Sequence, residues 1–402
     1  MEIRPIISAL LRNRAGALLV SIQIALTLAI VVNAVYVTQQ RLQHIGRATG
    51  IDDQNIFSFW VNTYEKDYDF FGMVRADLAM LRAMPGIVDA APINQVPLSG
   101  SGSSTAFYSL PDKKGEVSPA NHYRSDEHAV NALGLTLSAG ATFDANTIEY
   151  PEKDAPGRPP TGIISEGLAK ALFKDQPALG KTLYDDQSHP VRVVGVIKHM
   201  QGSWVGWDKV DRVLFEPKVG PDKHIQYLVR VQPGEIDRVM MAVEKALRER
   251  DANRVIATPM KKMSDMKRES YAGDSLMAVT LTTVTGLVVV FSSLGIFGLA
   301  TFNVNTRTRQ IGTRRAIGAR KRDIVRHFLT ENWLVTTLGV GVGSVLALLG
   351  GYWLSREFQM PRLDLYYLIG GVLGLWIVGQ FAAWQPSLKA AKVSPAMATR
   401  NV

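Results

Sequence analysis

The chain of 402 residues has no cysteine. No disulfide can staple it, so any domain outside a membrane must be held by its own core, and this fits a bacterial periplasm among other places. Charge is absent from four long runs: Ala15 to Val37, Leu276 to Val304, Trp333 to Ser355 and Leu365 to Trp384 contain no Asp, Glu, Lys or Arg. A hydrocarbon core of roughly 30 Å takes about 20 helical residues to cross, so each run is long enough to span. A surface helix of a soluble protein carries one apolar stripe, whereas these runs are apolar all round. With no ionisable group inside any of them, an intramembrane proton or ion pathway is not expected.

Catalytic patterns are missing as well. Gly180-Lys181-Thr182 ends like a phosphate-binding loop, but the glycine needed five positions before Gly180 is Asp175. The seven histidines are scattered, with no His-Glu-x-x-His and no pair at i, i+4, and no Gly-x-Ser-x-Gly elbow occurs. Trp204 and Trp207, beside Gly202 and Gly206, read as a packed aromatic loop in preference to a ligand contact. We therefore expect no catalytic, cofactor-binding or metal residue in this chain, and no enzyme activity of its own.

What charge there is follows a membrane logic. Residues 1–14, 305–332 and 385–402 together carry 14 basic and 3 acidic residues, against 29 basic and 31 acidic between Thr38 and Ser275. The formal charge of +9 is thus a topology signal and not a nucleic-acid footprint. The positive-inside rule places both termini and the 305–332 connection in the cytoplasm, and the 38–275 segment outside. The first run, at 23 residues, exceeds the about 7–15 apolar residues of a signal peptide, so it is expected as a span. The predicted fold class is an α-helical membrane protein with four transmembrane helices and a large α+β, two-lobed periplasmic domain. Its segments are an interfacial helix (1–14), spans at 15–37, 276–304, 333–355 and 365–384, the outer domain (38–275), a cytoplasmic connection (305–332) and a cytoplasmic tail (385–402).

Local patterns refine this outline. Ile3, Ile6, Ile7, Leu10 and Leu11 have the spacing of an amphipathic interfacial helix. The outer domain reads as one strand–helix–strand unit at its start (Ile56 to Val96) and another at its end (Ile225 to Thr258), with a second lobe inserted between them. Gly100 to Ser104 and Tyr150 to Pro160 read as loops. Gln39 to Ala48 and Lys261 to Asp274 are helix-compatible and continuous with membrane runs, which predicts a two-helix stalk. Gly339 with Gly343, and Gly370 with Gly374, have the small-x-x-x-small spacing of close helix contacts.

The cytoplasmic connection carries more than charge. From Thr306 to Ile324 it reads TRTRQIGTRRAIGARKRDI. Ile311, Ile317, Ile324, Val325 and Phe328 can line one apolar face, and Gly312 and Gly318 permit tight turns. A short helix of this kind suits docking into a partner's groove.

This segment resembles the coupling region of MacB/FtsX-type ABC transporter permeases, whose pattern is close to Arg-Thr-Arg-Glu-Ile-Gly-x-Arg-Arg-Ala-x-Gly-Ala. Arg307 through Ala319 follow it, with Gln310 where glutamate is common. Pro386, Ala390-Ala391 and Pro395-Ala396 resemble the closing Pro-x-x-x-Ala-Ala-x-x-x-Pro pattern. Ile163 to Phe173, Leu179-Gly180-Lys181 and Val193 to Val196 resemble the MacB-type periplasmic core. The resemblance implies ATPase-coupling roles for Arg307, Arg309, Gln310, Ile311, Gly312, Arg314, Arg315, Ala316, Gly318 and Ala319. It implies a separate ABC ATPase that binds ATP and Mg, a second permease chain (the same or a related one) and membrane lipid as partners. Nucleic acid is not among them. The expected function is the inner-membrane permease subunit of an efflux pump that feeds an adaptor and an outer-membrane duct. Lipoprotein extraction and a non-transporting signal relay are the alternatives.

Overall fold

The computed structural model describes residues 14–63, 69–151, 160–220, 224–250, 254–357 and 361–394. The expected interfacial helix, most of the 150–160 loop and Pro395-Ala396 of the closing motif lie outside the described residues. The chain divides into two compact units, 47–273 and the remainder.

The chain enters through α1 (Arg14–Ile45). Within the 47–273 unit follow β1 (Ile56–Thr63), α2 (Phe70–Ala83), β2 (Ile87–Ile93), β3 (Ser104–Leu110), β4 (Lys114–Ser125), α3 (Ala129–Ala132), β5 (Leu137–Gly140), β6 (Thr161–Ser165) and α4 (Glu166–Phe173). Then come β7 (Thr182–Tyr184), β8 (Pro190–Ile197), β9 (Val213–Pro217), β10 (His224–Val231), α5 (Ile236–Arg250), β11 (Arg254–Ile256), β12 (Lys261–Lys262) and α6 (Met263–Ser270). The strands share one sheet, in the order β11-β1-β10-β2-β4-β3-β7-β8-β6-β9.

The two strand–helix–strand units are both present and interleave. β1 lies between β10 and β11, and β10 between β1 and β2, all antiparallel. Alternation along β1 and β10 points Phe57, Phe59, Tyr227 and Val229 to one face, where they pack with Leu78 and Leu81 of α2 and Val243 and Leu247 of α5. Each such fully buried side chain contributes about 1.5–3 kcal/mol relative to exposure. The rest of the sheet curls back on itself, because β9 pairs antiparallel with β6 and in parallel with β4. It encloses a second cluster, including Phe107, Ile164, Leu168, Leu172, Val193 and Leu214. Ser165 caps α4 by accepting from the Leu168 amide, and its hydroxyl donates to the Asp211 carbonyl. Trp204 and Trp207 meet edge to face with centroids 6.0 Å apart.

Beside the first core, Arg82 at the end of α2 donates to the Ala90 carbonyl and to the Asp126 carboxylate. Burial pushes the Asp126 carboxyl up to about 6, against the Arg82 guanidinium, which pulls it down.

The other unit continues with α7 (Ala272–Thr306), α8 (Thr308–Ala316), α9 (Lys321–Glu357) and α10 (Leu365–Ala391). Among the described residues, four helices, α1, α7, α9 and α10, are long and apolar enough to cross a membrane. Gly339 and Gly343 of α9 lie against α1: a Cβ on Gly339 would stand 2.7 Å from the Ser21 carbonyl oxygen, and one on Gly343 2.8 Å from that of Ala25. Polar side chains tie the bundle through backbone carbonyls, as Asn33 Nδ2 does to Ala347 at 3.0 Å and Asn332 Nδ2 to Gly379 at 3.0 Å. The second glycine pair behaves differently from expectation. A Cβ on Gly370 or Gly374 would meet nothing within 4 Å, whereas one on Gly371 would stand 2.4 Å from Val32. One residue along a helix is a turn of about 100°, so the close-packed face of α10 is the neighbouring one.

Of the two segments expected to be helical extensions of membrane runs, the first is helical as far as Ile45. α1 runs eight residues past Val37 without a break. The returning segment is not one helix: it begins as β12, turns through α6 and stops at Tyr271, whose hydroxyl donates to Gln201 at 2.8 Å. Lys267 of α6 reaches Asp53 at 2.7 Å, so this stretch belongs to the 47–273 unit. Where α7 follows, Asp274 accepts from Arg41 of α1 at 2.9 Å and lies 3.0 Å from His44.

Candidate functional site

The segment from Arg307 to Ala319 forms a short helix with two unlike faces. α7 ends at Thr306, Arg307 stands between helices with φ −106°, and α8 starts at Thr308. Arg307 is held by Glu331 of α9, its Nη1 lying 3.1 and 2.9 Å from the two carboxylate oxygens. The side chains are 17% and 5% exposed, so the pair is nearly out of water and resists separation.

The inward face of α8 carries Ile311 and Gly312, both buried. Ile311 joins Val304, Ile324, Phe328, Ala390 and Ala391 in a small apolar cluster, with Ala319 and Val325 packed against it. Arg315 is half-buried and donates from Nη1 to the Ala391 carbonyl at 2.9 Å. Thus the Ala390-Ala391 pair of the closing motif meets the coupling motif directly, a juxtaposition that its distance in sequence conceals.

The C-terminus of α8 is shaped by Gly318. The Ala319 amide donates to the Arg314 carbonyl and the Gly318 amide to that of Arg315, with Gly318 at φ +101°. These are the paired bonds of a Schellman stop, which places a glycine at this step. Asp323 then accepts from the Arg320 amide at 3.0 Å and opens α9 in the manner of a capping box. Arg314 and Arg315 lie in the last turn of α8, where positive charge suits the helix dipole.

The outward face consists of Arg309, Gln310, Arg314, Ala316 and Gly318, all exposed, with Ile317 beside them at 82% exposure. Gln310, Thr313, Arg314 and Ile317 follow i, i+3, i+4, i+7 and so share a stripe. Two readings of this segment change. Ile317 was expected on the apolar face with Ile311, Ile324, Val325 and Phe328, but the turn at Gly318 releases it to solvent. Gly312 lies buried within a regular helix; the turn belongs to Gly318. The contributions of Glu331 and Ala391 were not foreseen, since neither stands in the motif.

Among the described residues, no group of three or more His, Asp or Glu side chains is placed to hold a metal ion.

The model of the MacB-like periplasmic core domain matches residues 17–257, and that of the FtsX-like permease C-terminal region matches residues 282–395. The chain is similar to YknZ of Bacillus subtilis, described as an uncharacterized ABC transporter permease, at 26% identity over 324 residues, which cover 78% of this chain and 77% of YknZ. It is similar to the macrolide export ATP-binding/permease protein MacB of Neisseria gonorrhoeae at 25% identity, covering 74% of this chain and 45% of that protein. The chain thus spans less than half the length of that relative. Among solved structures, the periplasmic region of MacB from Actinobacillus actinomycetemcomitans aligns with a TM-score of 0.34 at 17% identity, over 56% of this chain and 97% of that one. Arg307, the glycine stop and the exposed basic stripe sit within the permease match, and all of the sheet but β12 within the core-domain match: the chain belongs to the MacB/FtsX family of ABC transporter permeases.

Proposed function

We propose that this chain is the inner-membrane subunit through which a separate ABC ATPase drives movement of the 47–273 unit in the periplasm. α8 is the docking element for that ATPase. The observation that carries the reading is the exposed stripe of Gln310, Arg314 and Ile317, on a helix whose opposite face is pinned by Arg307–Glu331, Ile311 and Arg315–Ala391. A rigidly mounted, exposed isoleucine ringed by arginines suits an apolar groove with an acidic rim. Arg307, Ile311, Gly312, Arg315 and Ala319 hold α8 in place, while Arg309, Gln310, Arg314 and Ala316 face the partner and Gly318 presents Ile317.

In this reading two permease chains pair in the bilayer, and two ATPases bind ATP and Mg beneath them. Their closure is relayed along α1 and α7, the helices that lead to and from the periplasmic unit. The two separate cores of that unit support a two-lobed domain that can change shape, which favours efflux of a periplasmic substrate into an adaptor and an outer-membrane duct. Likeness to relatives described as a permease and as a macrolide exporter supports the same reading.

The topology is tested first. The chain has no cysteine, so single cysteines can be labelled without background. An impermeant maleimide added to spheroplasts is expected to modify Ser101→Cys and to leave Thr313→Cys unmodified. The opposite pattern would overturn the proposal.

A further inference from the structure

A groove of about 910 Å³ runs between α9 and α10, at the end of the bundle that also carries α8. Its mouth is ringed by Lys321, Arg322, Arg326 and Lys392, all exposed. Among the described residues none of the four side chains has a hydrogen-bonded or ion-paired partner, although nearby Glu331 and Asp323 are both engaged elsewhere. Deeper in, the walls become apolar and aromatic, with Leu329, Trp333, Trp384 and Leu388. Trp333 and Trp384 remain 45% and 52% exposed, and Leu388 41%.

The gradient has a definite length. Lys321 and Trp333 are twelve positions apart on α9, and so are Lys392 and Gln380 at the end of α10, which at 1.5 Å per residue gives about 18 Å on each wall. One leaflet of hydrocarbon is roughly half of 30 Å thick. Charge at one end, leucines (Leu329 and Leu388) below it and tryptophans (Trp333 and Trp384) beyond, over the depth of one leaflet, match a phospholipid standing upright. Four cations without carboxylates specify a negative headgroup, and basic pockets of this kind on the cytoplasmic side hold anionic lipids.

We propose that this groove is a binding site for one anionic phospholipid of the cytoplasmic leaflet. Its phosphate lies among Arg322, Arg326, Lys321 and Lys392, and an acyl chain lies against Trp333, Trp384 and Leu388. The site goes beyond the docking role of α8 and rests only on the topological part of that reading, that this end of the bundle faces the cytoplasm. A bound lipid would neutralise the mouth and fix the spacing of α9 and α10, the two helices against which α8 is mounted.

The test uses the full chain, delipidated in detergent and titrated with phosphatidylglycerol or with phosphatidylcholine of the same acyl chains, with bound species counted by native mass spectrometry. The wild type is expected to take up a first phosphatidylglycerol in clear preference to phosphatidylcholine. Arg326→Gln with Lys392→Gln is expected to lower that preference about tenfold, the order expected for two basic groups near an anionic surface. Arg356→Gln with Arg362→Gln, at the opposite end of α9 and the start of the α10 loop, should leave it unchanged. No preference in the wild type, or an equal loss in both double variants, would overturn the site. So would a groove variant that keeps its lipid preference while losing a co-purifying ATPase, because the groove would then belong to that protein. If the charge variant fails to accumulate, brominated lipids decide: brominated phosphatidylglycerol should quench the wild-type tryptophans more than brominated phosphatidylcholine. That difference should vanish in Trp333→Phe with Trp384→Phe, and its survival there would refute the site. The lipid titrations and the quenching require no ATPase, so failure of the lipid site and failure of the docking role are separately visible.

Discussion

Arg307 and Glu331 meet across 24 positions, each nearly sealed from water, and their pairing fixes where α8 leaves the bundle. Removing one member strands the other. Glu331→Ala is therefore expected to destabilise the chain by about 3 kcal/mol and to weaken ATPase co-purification, although Glu331 lies outside the exposed stripe. Arg307→Met with Glu331→Leu removes both charges and should recover much of the thermal stability in detergent. A double variant as unstable as the single one would refute the pairing as the cause.

Gly318 constrains the same helix through its backbone. At φ +101°, with open space where a Cβ would stand, replacement by alanine costs conformational strain and no clash. An effect of about 1 kcal/mol is expected for Gly318→Ala, with weaker partner binding because Ile317 is re-aimed. Gly312→Leu acts differently, by wedging the buried face. Thermal denaturation compared with co-purification separates the two, since Gly312→Leu should lose more stability for the same loss of binding.

Close helix contact gives a cleaner contrast. Gly339→Val places new atoms against the Ser21 carbonyl and Ile24, whereas Gly370→Val meets open space. The first is expected to lower the melting temperature in detergent by several degrees, consistent with overpacking costs of about 1–3 kcal/mol. The second should be neutral in the isolated chain. Equal effects would contradict the assignment of the α1-facing surface.

The 47–273 unit has its own cores and is expected to fold when expressed alone. Its pH dependence then reports on Asp126. The carboxyl sits at about 6 in the folded chain, above its ordinary value of 3.8. The folded state therefore binds more protons than the unfolded state between these values. Stability contributed by the protonated form is present below about 4 and is lost as pH rises through 6. The loss is on the order of 2 kcal/mol, and Asp126→Asn should flatten it. Urea titrations at pH 4.5 and 7.0 measure it, and an unchanged slope in the variant would rule out Asp126 as the source.

Much of this architecture was legible because its signals are local. Four uncharged runs announce four helices, although α1 and α9 extend past them where the sequence turns polar and charged. The two strand–helix–strand units were legible from periodicity. The return of β9 to β4 was not, since Asn121 pairs with Val213 and each strand reads the same whether or not the sheet curls. At the coupling segment, spacing marked the apolar residues but could not distinguish an isoleucine turned inward from one turned outward. Ile311 and Ile317 differ only in their position relative to the Gly318 stop. Gly370 and Gly374 failed for a related reason: the small-residue spacing names a face, and only the neighbouring helix decides whether that face is covered.

The docking of an ATPase on the outward face of α8 is tested most directly by Ile317→Asp with Arg314→Glu. Both side chains are exposed and neither makes a side-chain hydrogen bond or ion pair among the described residues; the Arg314 charge does act on Glu331, but Arg307, Ile311 and Arg315 still mount the helix. The measurement is the amount of ATPase that co-purifies with the permease from membranes, and the ATP turnover of the complex, with Thr313→Cys labelling as the check on insertion. The predicted result is loss of both at unchanged topology and melting temperature. Wild-type co-purification and turnover in this variant would contradict the account and reduce the segment to a topology signal.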